Sequence, residues 1–166
     1  MSGPGRRWLV GAVLLGVLTA LVAAVVSVLS LRAPGPAEVA EDYLASSWNG
    51  DWRTECDLAT KEWRRADLFA GYPFADCAAF ADAAEEASGE GGFLDFADDT
   101  DIDITVQTVN DDDGRARVEY LIEFRYDGPD REGFDALWQG GGALDRGTVE
   151  LVDVDGAWRV AGVDAG

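Results

Sequence analysis

Hydrophobic and polar positions divide the chain into zones of different period. Residues 8–31, WLVGAVLLGVLTALVAAVVSVLSL, are 24 consecutive positions without a charge. Beyond Ala33-Pro34-Gly35-Pro36 the pattern becomes helical. Val39, Tyr43, Leu44, Ser47 and Trp48 share one face of a helix predicted from about Ala37 to Ser47, which Asn49-Gly50 ends. Asp51 can cap a second helix, on which Trp52, Cys56, Ala59 and Trp63 recur at i, i+4, i+7 and i+11. An aromatic loop from Phe69 to Phe74 follows. A third helix, about Ala75 to Ala87, buries Cys77, Phe80, Ala81 and Ala84, and Ser88-Gly89-Glu90-Gly91-Gly92 stops it.

From Asp101 the period drops to two. Ile102, Ile104 and Val106 alternate with Asp103, Thr105 and Gln107, and Asn110 to Gly114 reads as a polar turn. Ala116, Val118, Tyr120, Ile122, Phe124 and Tyr126 then alternate with Arg117, Glu119, Glu123 and Arg125, as on a long half-buried strand. Asp127-Gly128-Pro129 opens a Gly-rich excursion to Gly147 that holds one apolar knot, Phe134, Ala136, Leu137 and Trp138. Val149, Leu151 and Val152 begin a third strand, Asp155-Gly156 turns it, and Ala157-Trp158-Arg159-Val160 begins the last. The expected fold class is α+β: three helices packed on one face of an antiparallel sheet of about four strands, preceded by an N-terminal transmembrane helix.

The membrane expectation rests on length. As a helix, 24 residues span about 36 Å, enough for a hydrocarbon core of about 30 Å. A secretory h-region is shorter, and the small-residue site is poor: Ala33 would precede the cut, with Leu31 two residues before it and Pro34 after it. A secreted form released there is the alternative. Arg6 and Arg7 precede the run and Arg32 follows it, so the positive-inside rule keeps residues 1–7 in the cytoplasm, 8–31 in the membrane, 32–36 as a linker and 37–166 outside. Ala12, Gly16, Ala20 and Ala24 lie every four residues, a row through which two copies could dimerise in the bilayer.

Charge narrows the partners. The chain has 13 Lys+Arg and 32 Asp+Glu, a formal net charge of −19. Residues 1–36 hold three arginines and no acid, so residues 37–166 carry −22. That balance excludes nucleic acid as a partner. With no histidine, a His-dependent triad, a His-ligated metal and an imidazole proton shuttle are excluded too. Both cysteines, Cys56 and Cys77, lie in the exported part on inward helical stripes, which predicts a disulfide between them.

The order of helix, Asn49-Gly50-Asp51, second helix, aromatic loop, third helix and long hairpins ending in Asp155-Gly156-Ala157-Trp158-Arg159-Val160 resembles the nuclear-transport-factor-2-like superfamily over residues 37–163. More narrowly it resembles that superfamily's exported, single-anchor members from high-GC bacteria. The resemblance implies a cystatin-like roll, in which a curved sheet wraps a long helix. Enzymes of the superfamily use a His, or Tyr and Asp groups, in a cone-shaped pocket, and no such set is visible here.

Other constellations have plain structural readings. Asp99, Asp101 and Asp103 have the spacing that opens an EF-hand loop, but Ile104 and Asn110 stand where Gly and Glu are required. Asp111-Asp112-Asp113-Gly114 suits a hairpin turn. Glu119, Glu123 and Arg125 share a wet strand face, and Lys61, the single lysine, lies beside Glu62 and Arg64. Tyr43 and Tyr120 face inward with no carboxylate visible on the apolar faces. The expectation is therefore a membrane-anchored, non-catalytic extracytoplasmic domain for protein or envelope interaction, without metal, cofactor or catalytic residues. A small apolar-ligand or isomerase/hydrolase-like pocket in the same fold is the alternative. Trp48, Trp52, Trp63, Phe69, Tyr72, Phe74, Trp138 and Trp158 are dense for one small domain. Most are expected in the core, and a remainder lining a roll pocket would favour an apolar or planar ligand.

Overall fold

A computed structural model describes residues 33–88, 92–138 and 142–166. Residues 34–166 form one unit, in which a four-stranded antiparallel sheet of order β1-β2-β3-β4 packs against helices. The helices are α1 (Pro36–Trp48), α2 (Trp52–Leu58), α3 (Lys61–Trp63), α4 (Cys77–Ala87) and α5 (Arg131–Leu137). A π turn, Arg64–Leu68, continues α3, and a 3-10 segment, Phe93–Asp99, leads into the sheet. The strands are β1 (Thr100–Asp112), β2 (Arg115–Tyr126), β3 (Leu144–Val154) and β4 (Ala157–Ala165).

This corrects the expected fold in two respects. Among the described residues no helix is long and apolar enough to cross a membrane. The uncharged run 8–31, with its row Ala12, Gly16, Ala20 and Ala24, lies outside the described residues. Nor is the count of three helices right. The second expected helix is broken at Ala59-Thr60, and the 3-10 segment and α5 are additional.

The break has a clear cause. Ala59 forms a parallel bridge with Val160 of β4, and the Thr60 N–H donates to the Val160 carbonyl at 2.7 Å. The chain leaves the helix to cover part of a sheet edge, and the Thr60 hydroxyl then accepts from the Trp63 N–H at 3.1 Å to start α3. The expected cap at Asp51 forms, and Asp76 and Asp130 cap α4 and α5 in the same way. Asp51, Asp76 and Asp130 accept from the N–H groups of Thr54, Ala79 and Gly133.

Both expected hairpin turns form. Asp113 and Gly114, at φ 50° and 72°, join β1 to β2, and Asp155 and Gly156, at φ 56° and 84°, join β3 to β4. Two successive positive-φ residues give the twist that such tight hairpins require. β1 runs farther than expected, to Asp112, with a bulge between Thr108 and Asn110.

Period two along β2 becomes perfect alternation. Ala116, Val118, Tyr120, Ile122, Phe124 and Tyr126 are buried, and the residues between them are exposed. Val39, Ala40, Tyr43 and Leu44 of α1 join Val149, Leu151, Val160 and Phe134 in the same core. Each fully buried Val, Leu, Ile or Phe among them contributes roughly 1.5–3 kcal/mol by burial. A second cluster forms around the disulfide: Cys56, Cys77 and Phe80, packed against Trp52, Leu68, Phe69 and Phe74.

Candidate functional site

The inner surface carries two tyrosine–carboxylate pairs. Tyr43 of α1 accepts a hydrogen bond from Trp63 Nε1 at 3.1 Å. Glu55 of α2 is only 5% exposed, and the hydroxyls of Ser47 and Tyr43 lie beside its carboxylate. Burial pushes the Glu55 carboxyl above its ordinary value; the two hydroxyls work against this and the Asp67 charge adds to it. Tyr43 is also raised, first by burial and then by the Glu55 and Asp67 charges, while the Trp63 hydrogen bond lowers it. At neutral pH Tyr43 is a neutral phenol.

The second pair lies on the sheet. Asp145 of β3 stands opposite Ile122 and Gly147 opposite Tyr120, so Asp145 shares the inner face with Tyr120. The Tyr120 hydroxyl is 3.5 Å from Asp145 Oδ2, at the outer limit of a hydrogen bond. Burial pushes Tyr120 up to about 12, with the Asp145 and Asp164 charges adding to it. Burial also raises Asp145, against hydrogen bonds from the Arg146 backbone and Tyr120.

Chemistry at either pair would need room for a substrate. One groove of about 450 Å³ is lined by Asn49, Asp51, Trp52, Arg53, Glu85 and Leu94, and another of about 390 Å³ by Asp42, Ser46, Asn49, Asp51 and Thr54. Neither is lined by Tyr43, Glu55, Tyr120 or Asp145. Aromatic rings take part of the space over the inner face of the sheet. Phe124 lies 4.7 Å from Trp48 and 4.8 Å from Trp138, and Tyr126 stacks on Phe134 at 4.7 Å.

The cysteines occupy their expected places. Cys56 and Cys77 form a disulfide with a Cα–Cα distance of 5.5 Å, joining α2 to the first residue of α4. Asp103 pairs with Arg125 at 3.1 Å between two exposed side chains, and Glu119, Glu123 and Lys61 are exposed. Among the described residues no three His, Cys, Asp or Glu side chains converge to hold a metal ion.

Glu55 and Asp145 were the residues that sequence reasoning missed. Glu55 follows Trp52 by three positions and adjoins Cys56, so the buried stripe extends over it. Asp145 has the parity of Val149 and Leu151, which becomes visible once β3 is begun at Leu144.

No family model matches the chain, and no curated protein matches it. Solved structures similar to it include a SEC-C motif containing protein from Rhodopseudomonas palustris, at 14% identity and a TM-score of 0.49, covering 84% of this chain and 85% of that one. Aln2 from a Streptomyces species is 18% identical with a TM-score of 0.43, covering 81% of this chain and 93% of the other. Similarity this loose carries no argument about what the chain does.

Proposed function

We propose that residues 37–166 are a non-catalytic, extracytoplasmic interaction domain of the nuclear-transport-factor-2-like roll type, held at the outer face of the cell membrane through residues 8–31, whose partner is a protein or envelope component. The observation that carries this reading is the packing of the inner sheet face. Trp48, Phe93, Phe124 and Trp138 fill one part of it with rings 4.7–6.3 Å apart. The disulfide supports export, because such bonds persist in oxidising compartments. The surface charge keeps the domain soluble and favours cationic partners.

The two tyrosine–carboxylate pairs favour the alternative of a ligand or isomerase/hydrolase-like pocket, since a carboxyl of raised pKa beside a phenol is a usable acid–base pair. The grooves described above do not reach them. Crosslinking in intact cells expressing the full chain separates the readings. The interaction domain gives a discrete adduct with an envelope component. Absence of any adduct overturns it, and a small molecule retained stoichiometrically by the purified full chain favours the alternative.

A further inference from the structure

The sheet has two edges, and they are not alike. β4 is met in its middle by the backbone of Ala59 and Thr60. β1 pairs with β2 alone among the described residues. Thr100 to Thr108 is the regular part of β1, nine residues matched one for one with β2, and the bulge comes only after it. Such an edge presents alternate N–H and C=O groups outward, a template for another strand.

Side chains on this edge define what would fit. Ile102, Ile104 and Val106 are half-buried toward the core, whereas Asp101, Asp103, Thr105 and Gln107 are exposed on the outer face. β1 contains no basic residue, and acids continue at Asp111, Asp112 and Asp113. Arg125 of β2 pairs with Asp103, and Arg115 and Arg117 stand opposite Asp112 and Asn110, beyond the regular stretch. A second copy of the chain would set acid against acid, which strands disfavour. Of the usual edge protections β1 has acids on its outer face and a bulge beyond Thr108, but no lysine or proline.

We propose that Thr100–Thr108 accepts an extended segment of a partner protein in which Lys or Arg alternates with apolar residues, added as a fifth strand. Its apolar side chains extend the half-buried row of Ile102, Ile104 and Val106, and its cations meet Asp101 and Asp103. This rests on the reading of the domain as an interaction module and specifies where and with what chemistry it interacts.

Fluorescence anisotropy of the full chain in non-ionic detergent tests it with three labelled eight-residue peptides: alternating Lys-Val, alternating Glu-Val, and Lys-Val with alternate backbone nitrogens methylated. The Lys-Val peptide binds, the Glu-Val peptide does not, and methylation abolishes binding without changing the charge. The doubly substituted Asp101→Lys, Asp103→Lys chain, checked for folding by circular dichroism, loses about tenfold for Lys-Val and gains Glu-Val binding. Equal binding of the methylated peptide shows charge attraction only and overturns the proposal, as does no binding by the unaltered chain. A photocrosslinker in cells separates this failure from failure of the broader reading. No adduct from position 105 but adducts from other surface positions overturns the edge alone, and no adducts anywhere overturn both.

Discussion

Trp63 donates its indole N–H to the hydroxyl of Tyr43 at 3.1 Å, fastening α3 to α1 across twenty positions of sequence. The same hydroxyl lies beside Glu55, so one phenol serves as acceptor for an indole and as neighbour to a buried carboxyl. Removing it should leave the Trp63 indole N–H without its partner. Tyr43→Phe is expected to cost about 1–3 kcal/mol in urea denaturation. Trp63→Phe should cost less in the Tyr43→Phe background than alone, because the two residues are coupled. Strict additivity would contradict the shared hydrogen bond.

Removing the disulfide should cost more than removing any surface contact. Cys56 and Cys77 are 21 positions apart, a loop for which chain entropy gives about 3 kcal/mol. The Cys56→Ala, Cys77→Ala chain should unfold at a clearly lower urea concentration, and reduction should lower the unaltered chain to about the same midpoint. An unmoved midpoint would count against the staple.

The pH dependence of Glu55 has a definite sign. Its folded carboxyl is raised above the ordinary value of 4.5, so the folded state holds the proton more tightly than the unfolded chain does. The stability from this group is fully present below that ordinary value and is lost as pH rises through the folded one. Glu55→Gln should therefore match the unaltered chain at pH 4 and gain on it progressively toward neutral pH. Parallel stability curves from pH 4 to 8 would show that the carboxyl is not raised.

Two strand glycines should respond oppositely to the same change. A Cβ on Gly147 would run into the Asp164 carbonyl and come within 2.9 Å of the Tyr120 hydroxyl, whereas one on Gly162 meets only Glu150 atoms at 3.7 and 3.9 Å. Gly147→Ala is expected to destabilise by about 1–3 kcal/mol. Gly162→Ala should be neutral or stabilising by up to about 1 kcal/mol, since it removes freedom from the unfolded chain. Thermal denaturation compares them directly, and equal losses would refute the distinction.

What could be read in advance was whatever local periodicity governs. Six buried positions of β2 alternate without a fault, and the Asp155-Gly156 turn carries its own conformational signal. The cysteines were legible because each sits on an inward stripe. The break at Thr60 was not, because its cause is a backbone bond to Val160, a hundred residues away. α5 has only seven residues, too short for a helical period to stand out amid glycines. Glu55 and Asp145 were missed because a charge beside an apolar stripe reads as solvent-facing until its tyrosine partner is placed by the tertiary fold.

The most direct test of the exported-domain account uses the single lysine. Lys61 is exposed on α3, so a membrane-impermeant amine reagent reaches it only from the side on which the domain lies. Intact spheroplasts expressing the full chain are treated with the reagent, and the peptide containing Lys61 is weighed by mass spectrometry. The account predicts labelling in intact cells to the same extent as after detergent lysis. Labelling that appears only after lysis would place the domain inside and contradict it.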